Sequence, residues 1–142
     1  MEDNYGRMLA LMFQGCDPQV LSDKYRLDLI VNEACKIAKA DVRQTCIEPF
    51  YNEDDGTTGY TIVKVLSESN FDLHTFPKGA EGSAVTITMY TCGDRANPEL
   101  AISYLIKELR AKKGYRTPLI EFSPRDSFWQ ELNMDPENLQ DI

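Results

Sequence analysis

Residues 66–77 read LSESNFDLHTFP, and this stretch decides how the middle of the chain folds. Over residues 70–74 the side chains alternate in character: Phe71 and Leu73 are apolar, and Asn70, Asp72 and His74 are polar. Successive side chains of an extended strand point to opposite faces of a sheet. The alternation therefore predicts a strand that buries its apolar face and turns its polar face, with the only histidine of the protein, toward a site.

Strand-like segments also lie on both sides of this stretch. β-Branched and aromatic residues between turn signals predict six strands, at 7–14, 42–51, 59–67, 70–76, 84–91 and 116–122. The Lys78–Ser83 loop, with two glycines, is predicted to join the fourth and fifth of these strands.

Two helices are predicted from apolar residues at helical spacing and from capping residues. The first covers about 22–40, and the second follows the fifth strand. Asparagine before proline is a typical helix start, because the side chain caps the first turn and proline needs no hydrogen-bond acceptor there. The predicted boundaries are Ser22 or Asp23 as the first N-cap, Asn97 as the second N-cap, Pro98 as the first residue of that helix, and Gly114 at its end.

The element order β-α-β-β-β-β-α-β predicts an α+β fold, a two-layer sandwich with two helices on one face of a mainly antiparallel sheet. The opposite sheet face then needs a cover. We expect a homodimer stacked sheet to sheet, giving an αββα assembly. The predicted domain covers 1–123, and an acidic extension covers 124–142, pinned to the body by Phe128 and Trp129.

Composition narrows the class of protein. A chain of 142 residues with 42% apolar residues suits one packed domain. A net charge of −8 disfavours nucleic acid and anionic membranes as partners and gives a cationic small molecule a favourable field, although such a charge more often serves solubility. The apolar run Met8–Phe13 is too short to span a membrane and lacks the basic flank of a signal peptide.

The cysteines show neither a CxxC pair nor zinc spacing, so we predict no metal site. They are Cys16, Cys35, Cys46 and Cys92. Without a secretion signal, reduced thiols and a cytoplasmic location, in a cell or an infected host, are expected.

Several short motifs together resemble the small prokaryotic and viral S-adenosylmethionine decarboxylases. The family pattern is close to ESHxxxHTWPE followed by a strand ending in TCG, with GxHL and YGCDP near the N-terminus. The matching residues here are Glu68-Ser69-Asn70, His74-Thr75-Phe76-Pro77-Lys78, Thr91-Cys92-Gly93, Gly6-Arg7 and Gly15-Cys16-Asp17-Pro18. The resemblance covers roughly residues 6–122 and implies the same fold and sheet-to-sheet dimer.

The resemblance implies a covalent pyruvoyl cofactor. Decarboxylation of an α-amino acid needs an electron sink, which a carbonyl supplies by forming a Schiff base and no ordinary side chain can. By resemblance, Ser69 attacks the carbonyl of Glu68, the chain is cut between 68 and 69, and Ser69 becomes the pyruvoyl group. His74 would handle protons during this processing, assisted by the hydroxyl of Thr61, and Cys92 would return a proton to the substrate carbon.

Three positions depart from the family pattern and concern the substrate. Asn70 stands where the family has a second histidine, Lys78 where it has a ribose-binding acid, and Met8 where it has an N-terminal histidine. Glu81 could replace the missing carboxylate, or Asp72 could hold a cationic group of the substrate.

The sequence alone leaves three possible functions open. The first is an S-adenosylmethionine decarboxylase that supplies the aminopropyl donor for spermidine synthesis. The second is a pyruvoyl enzyme that acts on ornithine or arginine, favoured by the loss of the ribose-binding acid. The third is a non-catalytic homologue that regulates an active enzyme, and a chain that never cleaves would support it.

Overall fold

The computed structural model describes residues 4–79, 82–135 and 137, and their strands form one antiparallel sheet. The strands are β1 (Arg7–Gln14), β2 (Val42–Asn52), β3 (Thr57–Leu66), β4 (Ser69–Gly79), β5 (Gly82–Thr91), β6 (Lys113–Arg116) and β7 (Ile120–Glu121). Their order is β2-β3-β4-β5-β1-β6, and β7 also pairs with β1. Strand β4 therefore lies in the middle of the sheet between β3 and β5.

The helices are α1 (Pro18–Leu21), α2 (Lys24–Ile37) and α3 (Ile102–Leu109), and a 3-10 turn, Pro98–Ala101, precedes α3. Asp23 caps α2, because its carboxylate accepts a hydrogen bond from the Arg26 N–H at 3.1 Å. Asn97 caps the 3-10 turn in the same way, with Pro98 next to it. Both predicted caps are confirmed.

The helices cover one face of the sheet and bury it in a single core. On β4, Phe71 and Leu73 are fully buried, whereas Asn70, Asp72 and His74 are not. The core joins β1, β3, β4 and β5 to α2 and α3, and its members include Leu9, Leu11, Ile62, Phe71, Leu73, Ile87, Met89, Leu27, Val31, Leu105 and Leu109. The predicted α+β sandwich with helices on one face is confirmed.

One buried residue of the helix-covered face is charged. Lys64 on β3 is 1% exposed, forms an ion pair with Asp28 of α2, and donates a hydrogen bond to Thr45 of β2 at 2.8 Å. Buried lysines are rare unless they are paired, and this contact ties α2 to the edge strand of the sheet.

The predicted end of the second helix was wrong. Helix α3 ends at Leu109, because Arg110 adopts the left-handed conformation, with φ of 55°, and its N–H closes the last turn. Gly114, predicted as the helix end, lies inside β6. The predicted strand at 116–122 is instead two short strands, with Pro118 between them.

The predicted first helix, over about 22–40, is also shorter, and a separate short helix precedes it. A one-turn helix begins at Pro18, and α2 ends at Ile37 because Lys39 takes a φ of 64°. Asp17 caps the early turn by accepting a hydrogen bond from the Gln19 N–H at 2.9 Å.

The segment after β7 packs back on the sheet. The Trp129 ring lies 4.8 Å from the Phe122 ring, and its indole N–H donates to the Glu121 carbonyl at 2.6 Å. The anchoring role predicted for Trp129 agrees with these contacts. The division into 1–123 and 124–142 stays a prediction.

Within the described residues, no helix combines the length and the apolar composition that a membrane crossing requires. The cytoplasmic location stays a prediction.

Candidate active site

The Glu68–Ser69 peptide bond lies at a tight turn of the sheet. Leu66 pairs with Ser69, so Ser67 and Glu68 alone connect β3 to β4. The Glu68 carboxylate accepts hydrogen bonds from the backbone N–H of Asp41 at 3.0 Å and from the Ser67 hydroxyl at 2.7 Å. A further hydrogen bond, from the Ser67 N–H to the Asp41 carbonyl at 2.9 Å, fixes the turn against the chain that leads into β2.

Ser69 has an unusual backbone conformation. Its φ is 151°, in a region that favours glycine, and among the described residues only Lys39 and Arg110 are other non-glycine residues with positive φ. Such conformations cost about 1–3 kcal/mol and concentrate at functional sites. The strain therefore falls on the residue that the sequence predicts as nucleophile.

Cys92 holds the carbonyl oxygen of Glu68 with two donors. Its backbone N–H donates to that oxygen at 2.8 Å, and its thiol donates to the same oxygen at 2.9 Å. Cys92 reaches this position because Thr91, the residue before it, pairs with Ser69 across β4 and β5. The sheet register thus brings Glu68, Ser69 and Cys92 together, as the sequence motifs predicted.

Cys92 differs from the buried cysteines. Burial raises the pKa of Cys16 to about 11 and that of Cys35 to about 12. Thiols with such pKa values stay protonated and unreactive at neutral pH. Cys92 is exposed and beside the strained bond, which makes it the accessible thiol of the site.

Thr61 and His74 form a second pair. They are cross-strand neighbours of β3 and β4, and the Thr61 hydroxyl lies 3.0 Å from His74 Nδ1. Both side chains are half-buried. Their neighbours along the strands, Ile62 and Leu73, are fully buried in the core. Because successive side chains point to opposite faces, Thr61 and His74 lie on the sheet face opposite the helices.

This pair does not meet Ser69 within one chain. His74 follows Ser69 by five residues along β4, which separates their Cα atoms by roughly 17 Å. The odd spacing also places the two side chains on opposite faces of the strand. One copy of the chain therefore holds two separate clusters, Glu68–Ser69–Cys92 at the end of the sheet and Thr61–His74 on its open face.

Asp72 lies on the open face between these clusters. Its Oδ2 accepts hydrogen bonds from Asn70 Nδ2 at 3.0 Å and from the Thr88 hydroxyl at 3.3 Å. Its Oδ1 is buried and has no hydrogen-bond partner among the described residues. Asn70, a departure from the family pattern, thus holds this carboxylate.

The remaining departures lie at the other end of β4 or on another strand. Lys78 is exposed near the far end of β4, and Met8 on β1 pairs with Tyr90 of β5 and with Ile120 of β7. Glu81, proposed from the sequence as a substitute carboxylate, lies outside the described residues.

Two residues of the site had no role assigned from the sequence. Asp41 supports the turn through its backbone alone, which leaves no signal in the identity of the side chain. Thr91 carries a fully buried hydroxyl opposite Ser69, and the motif Thr91-Cys92-Gly93 was the available signal for it.

The site thus combines a strained residue at a hairpin turn with a thiol and an amide that both donate to the carbonyl oxygen of the preceding residue. Comparisons with known proteins give the family. Residues 7–118 match the family model described as S-adenosylmethionine decarboxylase. The chain belongs to the S-adenosylmethionine decarboxylase family, and the resemblance read from the sequence is confirmed.

Two similar relatives are named S-adenosylmethionine decarboxylase proenzyme. One, from Pyrobaculum islandicum, is 34% identical over 108 residues, covering 76% of this chain and 81% of the relative. The other, from Thermococcus kodakarensis, is 35% identical over 101 residues, covering 71% of this chain and 65% of the relative. Among solved structures, adenosylmethionine decarboxylase from Aquifex aeolicus has the same fold, with a TM-score of 0.70 at 21% identity over 91% of this chain and 99% of that chain.

The turn predicts a dependence of stability on pH. The hydrogen bond from the Asp41 N–H to the Glu68 carboxylate, assisted by the Ser67 hydroxyl, lowers the pKa of Glu68 from its usual value of 4.5. A pKa lower in the folded than in the unfolded chain adds stability that is complete above the unfolded-state pKa and is lost as pH falls through the folded-state pKa. In a Ser69→Ala background, which removes the predicted nucleophile, we expect Glu68→Gln to be less stable at about pH 7, with the difference shrinking by about pH 3.

Urea unfolding of both chains across this pH range measures the difference. Asp54→Asn, another exposed acid at a turn, is the matched control for a general loss of negative charge. A Glu68→Gln difference that stays constant with pH would contradict the assigned hydrogen bond.

Proposed function

We propose that this chain is a pyruvoyl-dependent S-adenosylmethionine decarboxylase that makes its cofactor from Ser69. The observation that carries the proposal is the pair of hydrogen bonds from Cys92 to the Glu68 carbonyl oxygen, at 2.8 and 2.9 Å, next to the strained Ser69. The product would be the aminopropyl donor for spermidine synthesis.

The Cys92 donors lie where self-cleavage needs them. When Ser69 Oγ adds to the Glu68 carbonyl carbon, negative charge develops on the carbonyl oxygen. Fixed donors on an oxygen that gains charge stabilise the transition state. The C–N bond then breaks, the hydroxyl proton ends on the freed Ser69 nitrogen, and an ester joins Glu68 to the Ser69 side chain. The backbone strain at Ser69 favours leaving the uncut conformation.

The ester intermediate then gives the cofactor. Elimination releases the Glu68 carboxylate, and hydrolysis with loss of ammonia leaves a pyruvoyl group as the first residue of the fragment 69–142. Its carbonyl supplies the electron sink for loss of carbon dioxide. The residues at the turn fit such a group, because Cys92 offers an exposed thiol beside the new terminus. That thiol is the proposed proton donor to the substrate carbon.

Asp72 is the proposed partner of a positive charge on the substrate. A buried carboxylate oxygen without a hydrogen-bond partner is unfavourable, and Asp72 Oδ1 has none among the described residues. An ammonium group would donate a hydrogen bond to this oxygen, and a sulfonium would pair with the carboxylate through its charge alone. The relatives reported above are named for S-adenosylmethionine, so ornithine and arginine are not favoured as substrates. A regulatory role without catalysis is not favoured either, since Ser69, His74 and Cys92 are all present.

A homodimer would join the two clusters that one chain keeps apart. Apolar side chains are exposed on the open face, among them Met12, Phe50, Val65 and Phe76, each 38–44% exposed. Stacking two such faces would bury them and bring Thr61 and His74 of one copy toward the Glu68–Ser69 bond of the other. His74 would then handle protons for cleavage of the partner chain.

Turnover tests the proposed reaction. Release of labelled carbon dioxide, normalised to the amount of cut chain, is expected from S-adenosylmethionine and not from ornithine or arginine. Cys92→Ser keeps the backbone donor and is expected to lower turnover by roughly 10²–10⁴-fold, the usual effect of losing a general acid. Cys46→Ser, an exposed thiol on β2, is the control and should keep full turnover. Equal losses in both variants, or release from ornithine, would contradict this assignment.

Co-expression tests whether His74 acts across the dimer. Ser69→Ala and His74→Ala chains with tags of different mass are each expected to stay uncut alone. Expressed together, the His74→Ala chain should be cut, because its partner still carries His74. Fragments of the tagged chains, weighed by mass spectrometry, report the result. If mixed dimers form and both chains stay whole, His74 does not act on the partner chain.

A further inference from the structure

The hydroxyl of Thr91 is buried without a hydrogen bond. Thr91 is the last residue of β5 and is 0% exposed. Its Oγ1 has no hydrogen-bond partner among the described residues. Burying a hydroxyl without a partner is unfavourable, and replacing it with an apolar group of the same shape removes the cost. Valine would fill the same space, so packing alone does not account for threonine at this position.

The position of Thr91 connects its hydroxyl to the cleavage site. Thr91 pairs directly with Ser69 on β4 and with Arg7 on β1. Side chains of directly opposed residues share a face and have Cβ atoms about 4.5–5.5 Å apart. The next residue, Cys92, holds the Glu68 carbonyl through both of its donors. The unpaired hydroxyl therefore lies beside the nucleophile, one residue from the group that activates the bond.

We infer that Thr91 is a positioning residue for self-cleavage, an inference that rests on the function proposed above. Its Oγ1 accepts a hydrogen bond from the Ser69 hydroxyl when that side chain turns toward the Glu68 carbonyl. The contact limits the rotamers of Ser69 and keeps an oxygen lone pair directed at the carbonyl carbon. The cleavage step needs no co-reactant, because the Ser69 hydroxyl proton ends on the Ser69 nitrogen as the C–N bond breaks and the ester C–O bond forms.

If Thr91 has this role, removing its hydroxyl should preserve or raise the stability of the chain and slow its cleavage. Thr91→Val keeps the side-chain volume and removes the unpaired hydroxyl, so the uncut chain should be as stable as the parent or more stable. The same change removes the contact to Ser69 and should slow cleavage about tenfold or more, the effect of one lost hydrogen bond. A residue that served the fold alone would not give this combination.

The parent threonine and three variants of this position isolate the effect of the hydroxyl. Threonine and valine differ in the hydroxyl at fixed volume, and serine and alanine differ in it after loss of the methyl group. We expect the threonine and serine chains to cleave at rates within about threefold of each other, and the valine and alanine chains to be about tenfold slower. Thr58→Val on β3, at the other end of the sheet, is the control and should cleave at the parent rate.

The measurement is the fraction of cut chain against time by intact mass, started from freshly refolded protein. Unfolding in urea is measured on the same variants in a Ser69→Ala background, so that cleavage does not alter the result. The serine and alanine pair keeps the test decisive if the valine chain does not fold.

Each outcome has a separate meaning. If the parent chain itself is never cut, the proposed function fails, and this inference fails with it. If the parent is cut and the valine and alanine chains are cut equally fast, only the role of Thr91 fails. If Thr91→Ser slows cleavage as much as Thr91→Ala, the methyl group and the packing matter, and the hydroxyl does not.

Discussion

The two hydrogen bonds from Cys92 to the carbonyl oxygen of Glu68 are the contact on which the site depends. They exist because β5 pairs with β4 in a register that places Thr91 opposite Ser69. A shift of one residue would exchange the faces of every side chain on the strand. The fully buried Phe71 and Leu73 prevent that shift by fixing which face of β4 meets the core. Core packing thus aligns the donors with the carbonyl.

The residues that stabilise the fold and the residues of the candidate site lie on different parts of the sheet. The helix-covered face holds the core, the raised-pKa thiols of Cys16 and Cys35, and the Lys64–Asp28 ion pair. The open face carries Asp72, and the turn end carries the strained Ser69 with Thr91 opposite it. Strain at Ser69 and unpaired polar atoms at Asp72 and Thr91 lower stability. Such unfavourable features concentrate at functional sites.

Much of this arrangement follows from sequence periodicity. Alternation along 70–74 correctly predicts which side chains of β4 face the core, because period two is a direct property of extended backbone. The capping residues Asp23 and Asn97 were equally informative, since their side chains bond locally. The end of α3 could not be predicted, because Arg110 adopts a left-handed conformation. Arginine has no preference for this conformation that the sequence would show.

The site itself was predictable only in part. Motif resemblance identified Ser69, Cys92 and His74, and the odd spacing of Ser69 and His74 implies opposite faces of one strand. The sequence does not give the strand register that brings Cys92 onto the Glu68 carbonyl oxygen. The support of Glu68 by the Asp41 N–H comes from backbone atoms, and backbone contacts between distant segments leave no pattern in residue types. The unpaired state of Thr91 Oγ1 is likewise a property of packing in three dimensions.

The most direct test of the central claim is the intact mass of the purified protein under denaturing conditions, beside the Ser69→Ala chain. Self-cleavage at the strained turn predicts two fragments, 1–68 and 69–142, the second lighter than its sequence mass by the change from serine to pyruvoyl. The Ser69→Ala chain should stay whole at 142 residues. A parent chain that also stays whole, with the mass of the full sequence, would contradict the account.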